Sequence, residues 1–170
     1  MQKYFRFMLA VFSILCATTA SAQWQAVSTG YPFADHFVFA LDVVNQNTIW
    51  AAADTDGNGF SSRIIRTTDG GLTWGTYSFP GAQTRFILDL DAFDANTAWI
   101  ATNEFNAGGG GIYKTTNGGV TWTLQRNRAS VFVKFFDAQN GVSVNQRVVH
   151  TTTNSGATWD SVSGVPSYLP

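Results

Sequence analysis

Three copies of one eight-residue pattern constrain this chain more than any other feature. Thr67-Thr68-Asp69-Gly70-Gly71-Leu72-Thr73-Trp74 recurs as Thr115-Thr116-Asn117-Gly118-Gly119-Val120-Thr121-Trp122, and again as Thr152-Thr153-Asn154-Ser155-Gly156-Ala157-Thr158-Trp159. Upstream, Asn47-Thr48-Ile49-Trp50 matches Asn96-Thr97-Ala98-Trp99, and Asn140-Gly141-Val142-Ser143 reads as a weaker third copy. Further upstream, Leu41-Asp42-Val43-Val44 aligns with Leu90-Asp91-Ala92-Phe93 and with Val133-Lys134-Phe135-Phe136. The motif tryptophans stand 48 and 37 residues apart, close to the period of roughly 40 to 50 residues that marks a four-stranded propeller blade.

Each unit reads as four short strands. In the first, residues 37–44 form strand A, 48–53 strand B, 63–67 strand C and 73–78 strand D. These runs are β-branched or aromatic and are bounded by Gly, Asn and Asp. Asp69-Gly70-Gly71 forms the C–D hairpin turn, because Gly and Asp tolerate the positive φ such turns need. The side chain of Asp69, Asn117 or Asn154 accepts N–H bonds inside its own turn, and the tryptophan returns on strand D to pack against its own blade. Asp69 also offers a carboxylate for catalysis. Asn at the two sibling positions keeps the acceptor and loses the acid–base chemistry, which favours a structural role.

The N-terminus has a secretory layout. Lys3 and Arg6 precede a weakly polar to apolar run over residues 7–17, and Ala20-Ser21-Ala22 supplies small residues before a cleavage point. The run is much shorter than the roughly 20 apolar residues of a membrane span. Cleavage removes Cys16, the only cysteine, leaving neither a disulfide nor a thiolate site. Without Lys3 and Arg6, eight basic residues face eleven acidic ones with no basic run, so nucleic acid and anionic membranes are poor partners. Low charge and 15% aromatic residues fit β structure.

These residues resemble the Asp-box, or BNR, pattern Ser/Thr-x-Asp-x-Gly-x-Thr-Trp. The set is Thr67, Asp69, Gly71, Thr73 and Trp74; Thr115, Asn117, Gly119, Thr121 and Trp122; and Thr152, Asn154, Gly156, Thr158 and Trp159. Families with this box include sialidases, xyloglucan-cleaving glycosidases and sortilin-type receptors. The longer pattern is most similar to photosystem II assembly factor-like propellers. The resemblance implies an all-β fold: three four-stranded antiparallel blades of a β-propeller plus one unpaired strand, together an incomplete propeller. It further implies a structural box lying away from any active site.

The expected organisation is a signal peptide at 1–22 and a partial propeller at 23–170. Within the propeller lie a lone D-type strand at 23–30 and blades at 36–79, 85–126 and 130–163. Three blades fall short of the usual four or more, so the missing neighbours are further blades of a longer polypeptide or other copies of the chain.

Alternating strands put the A–B and C–D turns on one face and the B–C and D–A loops on the other, where recognition is expected. The first B–C loop offers Asp54, Asp56 and Asn58, and the second Glu104, Phe105 and Asn106. Asp54-Thr55-Asp56-Gly57-Asn58-Gly59 is similar to the first half of a calcium loop. The twelfth position is Ile65 rather than Glu, and Ser62 stands where another acid is wanted. The choice is between a calcium site and an Asp/Gly-rich loop without metal, and no other cofactor is indicated.

Asp89 and Asp91 sit on the same side of one strand and offer glycosidase spacing, but no partner is identifiable for them, and no sialidase Arg-Ile-Pro start and no Ser/His/Asp set can be assigned. His36 and His150 look isolated, and Asp42, Asp89 and Asp91 sit in strand A patterns. The expectation is a secreted, periplasmic or cell-surface propeller segment that binds a protein or glycan without catalysis. The alternative is a fragment of a secreted glycoside hydrolase.

Overall fold

The computed structural model describes residues 38–54, 62–104, 109–145 and 148–162. The expected strand at 23–30 and the cleavage site lie outside them. Among the described residues, twelve strands form three antiparallel sheets and there is no helix. The first sheet is β1 (Val38–Val43), β2 (Ile49–Asp54), β3 (Ser62–Thr67) and β4 (Gly75–Tyr77). The second is β5 (Arg85–Ala92), β6 (Ala98–Glu104), β7 (Gly110–Thr115) and β8 (Thr123–Arg126). The third is β9 (Phe132–Phe135), β10 (Gly141–Val144), β11 (Val149–Thr152) and β12 (Asp160–Ser161). Every sheet pairs its strands in chain order. β1 neighbours β5, and β5 neighbours β9, so the first strands of the sheets lie innermost, as in propeller blades.

Each A–B connection is closed by a side chain that sequence reading did not single out. Asn45 Oδ1 accepts the N–H groups of Asn47 and Thr48, both at 2.9 Å. Asp94 does the same for Asn96 and Thr97 at 2.7 Å, and Asp137 for Gln139 and Asn140 at 2.7 Å. These are Asx turns, which replace a backbone turn by a side-chain acceptor. The C–D turn is then tied to the same loop. Gly70 N–H donates to Asn47 O, Gly118 to Asn96 O, and Ser155 to Gln139 O, at 2.8–2.9 Å.

This register corrects the third copy of the Asn-Thr-x-Trp block by one residue. Gly141 pairs with Phe135 as Ile49 pairs with Val43. Val142, not Ser143, therefore occupies the Trp50 and Trp99 position. The Asx turn fixes the count, and the matching Asn identity at 140 is incidental. Glycine at 141 makes room for a larger neighbour: a Cβ there would lie 2.8 Å from the Phe135 ring. The equivalent pair in the second sheet is Ala92 opposite Ala98.

The core lies between sheets rather than within one, because a single four-stranded blade cannot bury its own faces. Trp50, Ala52 and Ile64 of the first sheet meet Ile87, Leu90, Ile100, Tyr113 and Trp122 of the second. Trp99, Ala101 and Ile112 of the second meet Val133 and Phe135 of the third. Trp50 and Trp99 are fully buried. Their indole N–H groups cross the interface to Asp94 O (3.0 Å) and Ser155 O (3.3 Å) of the following sheet. A cation from strand C covers each ring: Arg66 lies 5.2 Å from Trp50 and Lys114 5.0 Å from Trp99.

Candidate functional site

The repeated turn is built on the same two backbone bonds three times. The Thr67, Thr115 and Thr152 hydroxyls accept the N–H of Gly71, Gly119 and Gly156 at 2.9–3.0 Å. Asp69, Asn117 and Asn154 accept the N–H of Thr73, Thr121 and Thr158 at 2.9 Å. The positive φ values fall on Gly70 and Gly71, on Gly118 and Gly119, and on Ser155 and Gly156, not on the Asp or Asn. The Thr73 hydroxyl, the Thr73 N–H and the Thr67 hydroxyl together hold the Asp69 carboxyl down to about 2. A group so deprotonated and so fully engaged in its own turn makes a poor proton donor at neutral pH.

The box tryptophans do not each pack on their own blade, as the sequence suggested. Trp122 precedes β8 and meets Trp50 of the first sheet edge-on, with ring centres 6.4 Å apart. Trp74 and Trp122 donate to Gly71 O (3.2 Å) and Gly119 O (3.1 Å). Trp159 packs edge-on against Phe135 of its own sheet, and its buried Nε1 has no acceptor. Phe135 is stacked on Trp99, with centres 3.6 Å apart. It fills the space that Ala92 leaves in the second sheet, and Trp159 stands against it.

The expected binding loops are only partly within the described residues. Asp54 ends β2, and Asp56 and Asn58 lie outside the described residues. Glu104 ends β6 and faces Arg85 Nε at 3.8 Å, whereas Phe105 and Asn106 lie outside. Among the described residues, no three His, Cys, Asp or Glu side chains converge.

The strand-A carboxylates join neighbouring sheets. Asp42 Oδ2 accepts Ala92 N–H at 2.7 Å, Asp89 Oδ2 accepts Val133 N–H at 2.9 Å, and Asp91 Oδ2 accepts Phe135 N–H at 2.6 Å. Asp91 also pairs with Lys134, which occupies the Asp42 and Asp91 position in the third sheet. Burial pushes the carboxyls of both Asp89 and Asp91 up from the ordinary range.

A cleft of about 490 Å³ opens between the second and third sheets. Arg126 ends β8, Asn127 and Arg128 begin the D–A connection, Asn145 and Val148 flank the third B–C loop, and His150, Trp159 and Ser161 complete the lining. His150 is buried, not isolated on the surface. Arg126 Nη2 lies 2.6 Å from His150 Nε2, and Ser161 Oγ 3.2 Å from Nδ1. A guanidinium only donates, so Nε2 is the acceptor and the ring proton sits on Nδ1, facing Ser161. Burial, then Arg126 and Arg128, hold the imidazole below its ordinary value, which keeps it neutral. Arg126 also donates to Ser130 Oγ at 3.2 Å, and Ser143 reaches Ser130 at 3.1 Å. Neither arginine has a carboxylate within ion-pair distance among the described residues. Sequence reading missed this group; its one local signal is the Arg-x-Arg spacing at 126–128.

No protein-family model matches the sequence, and no curated protein matches it. Solved structures do. One is described as YCF48 bound to D1 peptide, at 15% identity and a TM-score of 0.56, over 78% of this chain and 46% of that one. The GH74 enzyme of Niastella koreensis matches at 24% identity and a TM-score of 0.52, over 73% and 22%. The GH74 xyloglucanase of Xanthomonas campestris matches at 15% and 0.54, over 76% and 24%. The chain thus spans less than half the length of each of these structures. At such identities the likeness concerns the fold, and with the sheet order it shows three four-stranded blades of a β-propeller.

Proposed function

We propose that this chain is a secreted, noncatalytic binding segment of an Asp-box propeller, taking a protein or glycan on its loop face. One observation carries the reading. The inner-strand carboxylates, the natural candidates for acid–base work, are committed to backbone N–H groups of the next blade. The loop face meanwhile presents a cationic cleft with no acid among its described lining residues. A propeller of similar fold is described as bound to a peptide, which is compatible with a protein ligand. Display of the secreted chain against peptide and glycan arrays, with turnover of xyloglucan and sialosides measured alongside, tests it. Specific binding without turnover supports the reading, and turnover removes it.

The hydrolase reading rests on the raised carboxyls of Asp89 and Asp91, since a general acid needs such a shift. It requires loss of turnover in Asp89→Asn or Asp91→Asn with the fold retained. Export is part of the same proposal, and N-terminal sequencing of the secreted protein should begin at Gln23. Calcium at Asp54, Asp56 and Asn58 is a separate proposal resting on the loop sequence alone.

A further inference from the structure

We infer that the cleft between the second and third blades binds a carboxylate of an acidic peptide, with Arg128 and Arg126 as its ligands. The inference deepens the loop-face reading by naming the partner's chemistry.

The fold itself does not require a charged cleft here. His150 occupies the position of Tyr113 in the preceding blade, since His150 pairs with Ser161 as Tyr113 pairs with Leu124. At that position the first blade interface closes with Phe79 against Tyr113, edge-on at 5.9 Å, and with buried Ala82. The second interface places Arg126, His150, Ser130 and Ser143 there instead. The first interface also carries a guanidinium, but Arg85 is spent there on the Tyr113 hydroxyl, Pro80 O and Glu104, whereas Arg126 is held from two sides by neutral groups and meets no carboxylate among the described residues.

The holding is directional. His150 accepts from one terminal nitrogen of Arg126 and Ser130 accepts from the other, so the planar fork is fixed before any ligand arrives. A fork oriented in advance loses little freedom when it pairs with a carboxylate. Arg128 is exposed and makes no hydrogen bond or ion pair among the described residues. Burial, and then the like charge of Arg128, lower the Arg126 guanidinium from its ordinary value. A bound anion relieves that repulsion. Val148 and Trp159 give the cleft an apolar wall, suited to the methylenes of a glutamate or to the backbone beside it. A volume of about 490 Å³ lies within the roughly 300–1,000 Å³ range of small-ligand sites and suits a short stretch of peptide.

The test uses the full chain and three probes: a ten-residue peptide rich in Asp and Glu, its Asn/Gln counterpart, and an oligogalacturonate. Titration calorimetry at low and at raised salt reads the affinity. The acidic peptide should bind, its amide counterpart should bind at least tenfold more weakly, and salt should weaken the complex. Arg128→Gln should cost at least about tenfold in Kd, since it removes a charge-assisted bond to the carboxylate. Arg128 supports no other side chain among the described residues, so that variant should keep the wild-type denaturation midpoint. Arg126→Gln should abolish binding, with its midpoint measured in parallel. Equal binding of both peptides, binding of oligogalacturonate alone, or no binding overturns the inference. Acidic-peptide binding that survives Arg128→Gln overturns the inference while leaving the loop-face reading standing.

Discussion

The Asn117 side-chain amide donates to the Thr121 hydroxyl at 2.8 Å, whereas the equivalent Thr73 hydroxyl donates to Asp69 at 2.5 Å. The hydroxyl reverses its role, and the turn geometry is otherwise unchanged. Because Asn117 Oδ1 is already taken by the Thr121 N–H, the amide nitrogen must face the hydroxyl. A threonine at this position accepts either acceptor-only Asp or donor-bearing Asn.

Asp69→Asn should therefore leave the denaturant midpoint at neutral pH nearly unchanged, while Asp69→Ala lowers it by leaving Thr73 N–H unpaired. The pH profile separates the variants further. The Asp69 carboxyl is depressed from 3.8 to about 2, so its contribution is fully present above its unfolded value. It is lost as pH falls from about 4 through about 2. Asp69→Asn should flatten that acid limb. An Asp69→Ala protein as stable as wild type would contradict this account of the turn.

Trp122→Ala should cost about 3 to 5 kcal/mol, the usual range for emptying a buried large aromatic site, because Trp122 seals the first blade interface against Trp50. Trp74, only half-buried, should cost clearly less. Urea unfolding of both variants checks the order, and a reversed order would place the packing of the repeated tryptophan elsewhere.

Asp89→Asn should keep the bond from Val133 N–H through the amide oxygen. Burial disfavours the ionised carboxylate at this site, so the amide should be at least as stable as wild type at pH 7. Asp89→Ala should be less stable than either. A marked loss of stability in Asp89→Asn would show that the charge itself is needed.

His150 sits below its ordinary value of 6.5, so the unfolded chain takes up the proton first. The stability that depends on its neutral ring is present above that value and declines as pH falls below it. His150→Gln, which keeps an acceptor for Arg126, should remove this step from a pH series of unfolding midpoints. A step of undiminished size in the variant would assign it to another group.

Calcium, if held by Asp54, Asp56 and Asn58, should raise the unfolding midpoint at millimolar concentration, as any ligand that binds only the folded state does. Asp56→Ala should erase the gain. A midpoint indifferent to calcium removes that site.

The sequence by itself determined the repeat and, through it, the blade. The Thr-x-Asp/Asn-x-Gly-x-Thr-Trp spacing fixes a turn made of bonds at most four residues apart, and local bonds of this kind need no knowledge of what lies far along the chain. The Asx turns at Asn45, Asp94 and Asp137 were equally local, but three different flanking sequences hid them. The tertiary structure alone decided which partners meet across blades. Trp122 packs on Trp50, Asp91 holds Phe135, and Arg126 finds His150. Each of these depends on how one blade seats against the next, and the packing of two faces is a property of neither face alone. For the same reason His150, isolated in sequence, became the centre of a charged cleft between two blades.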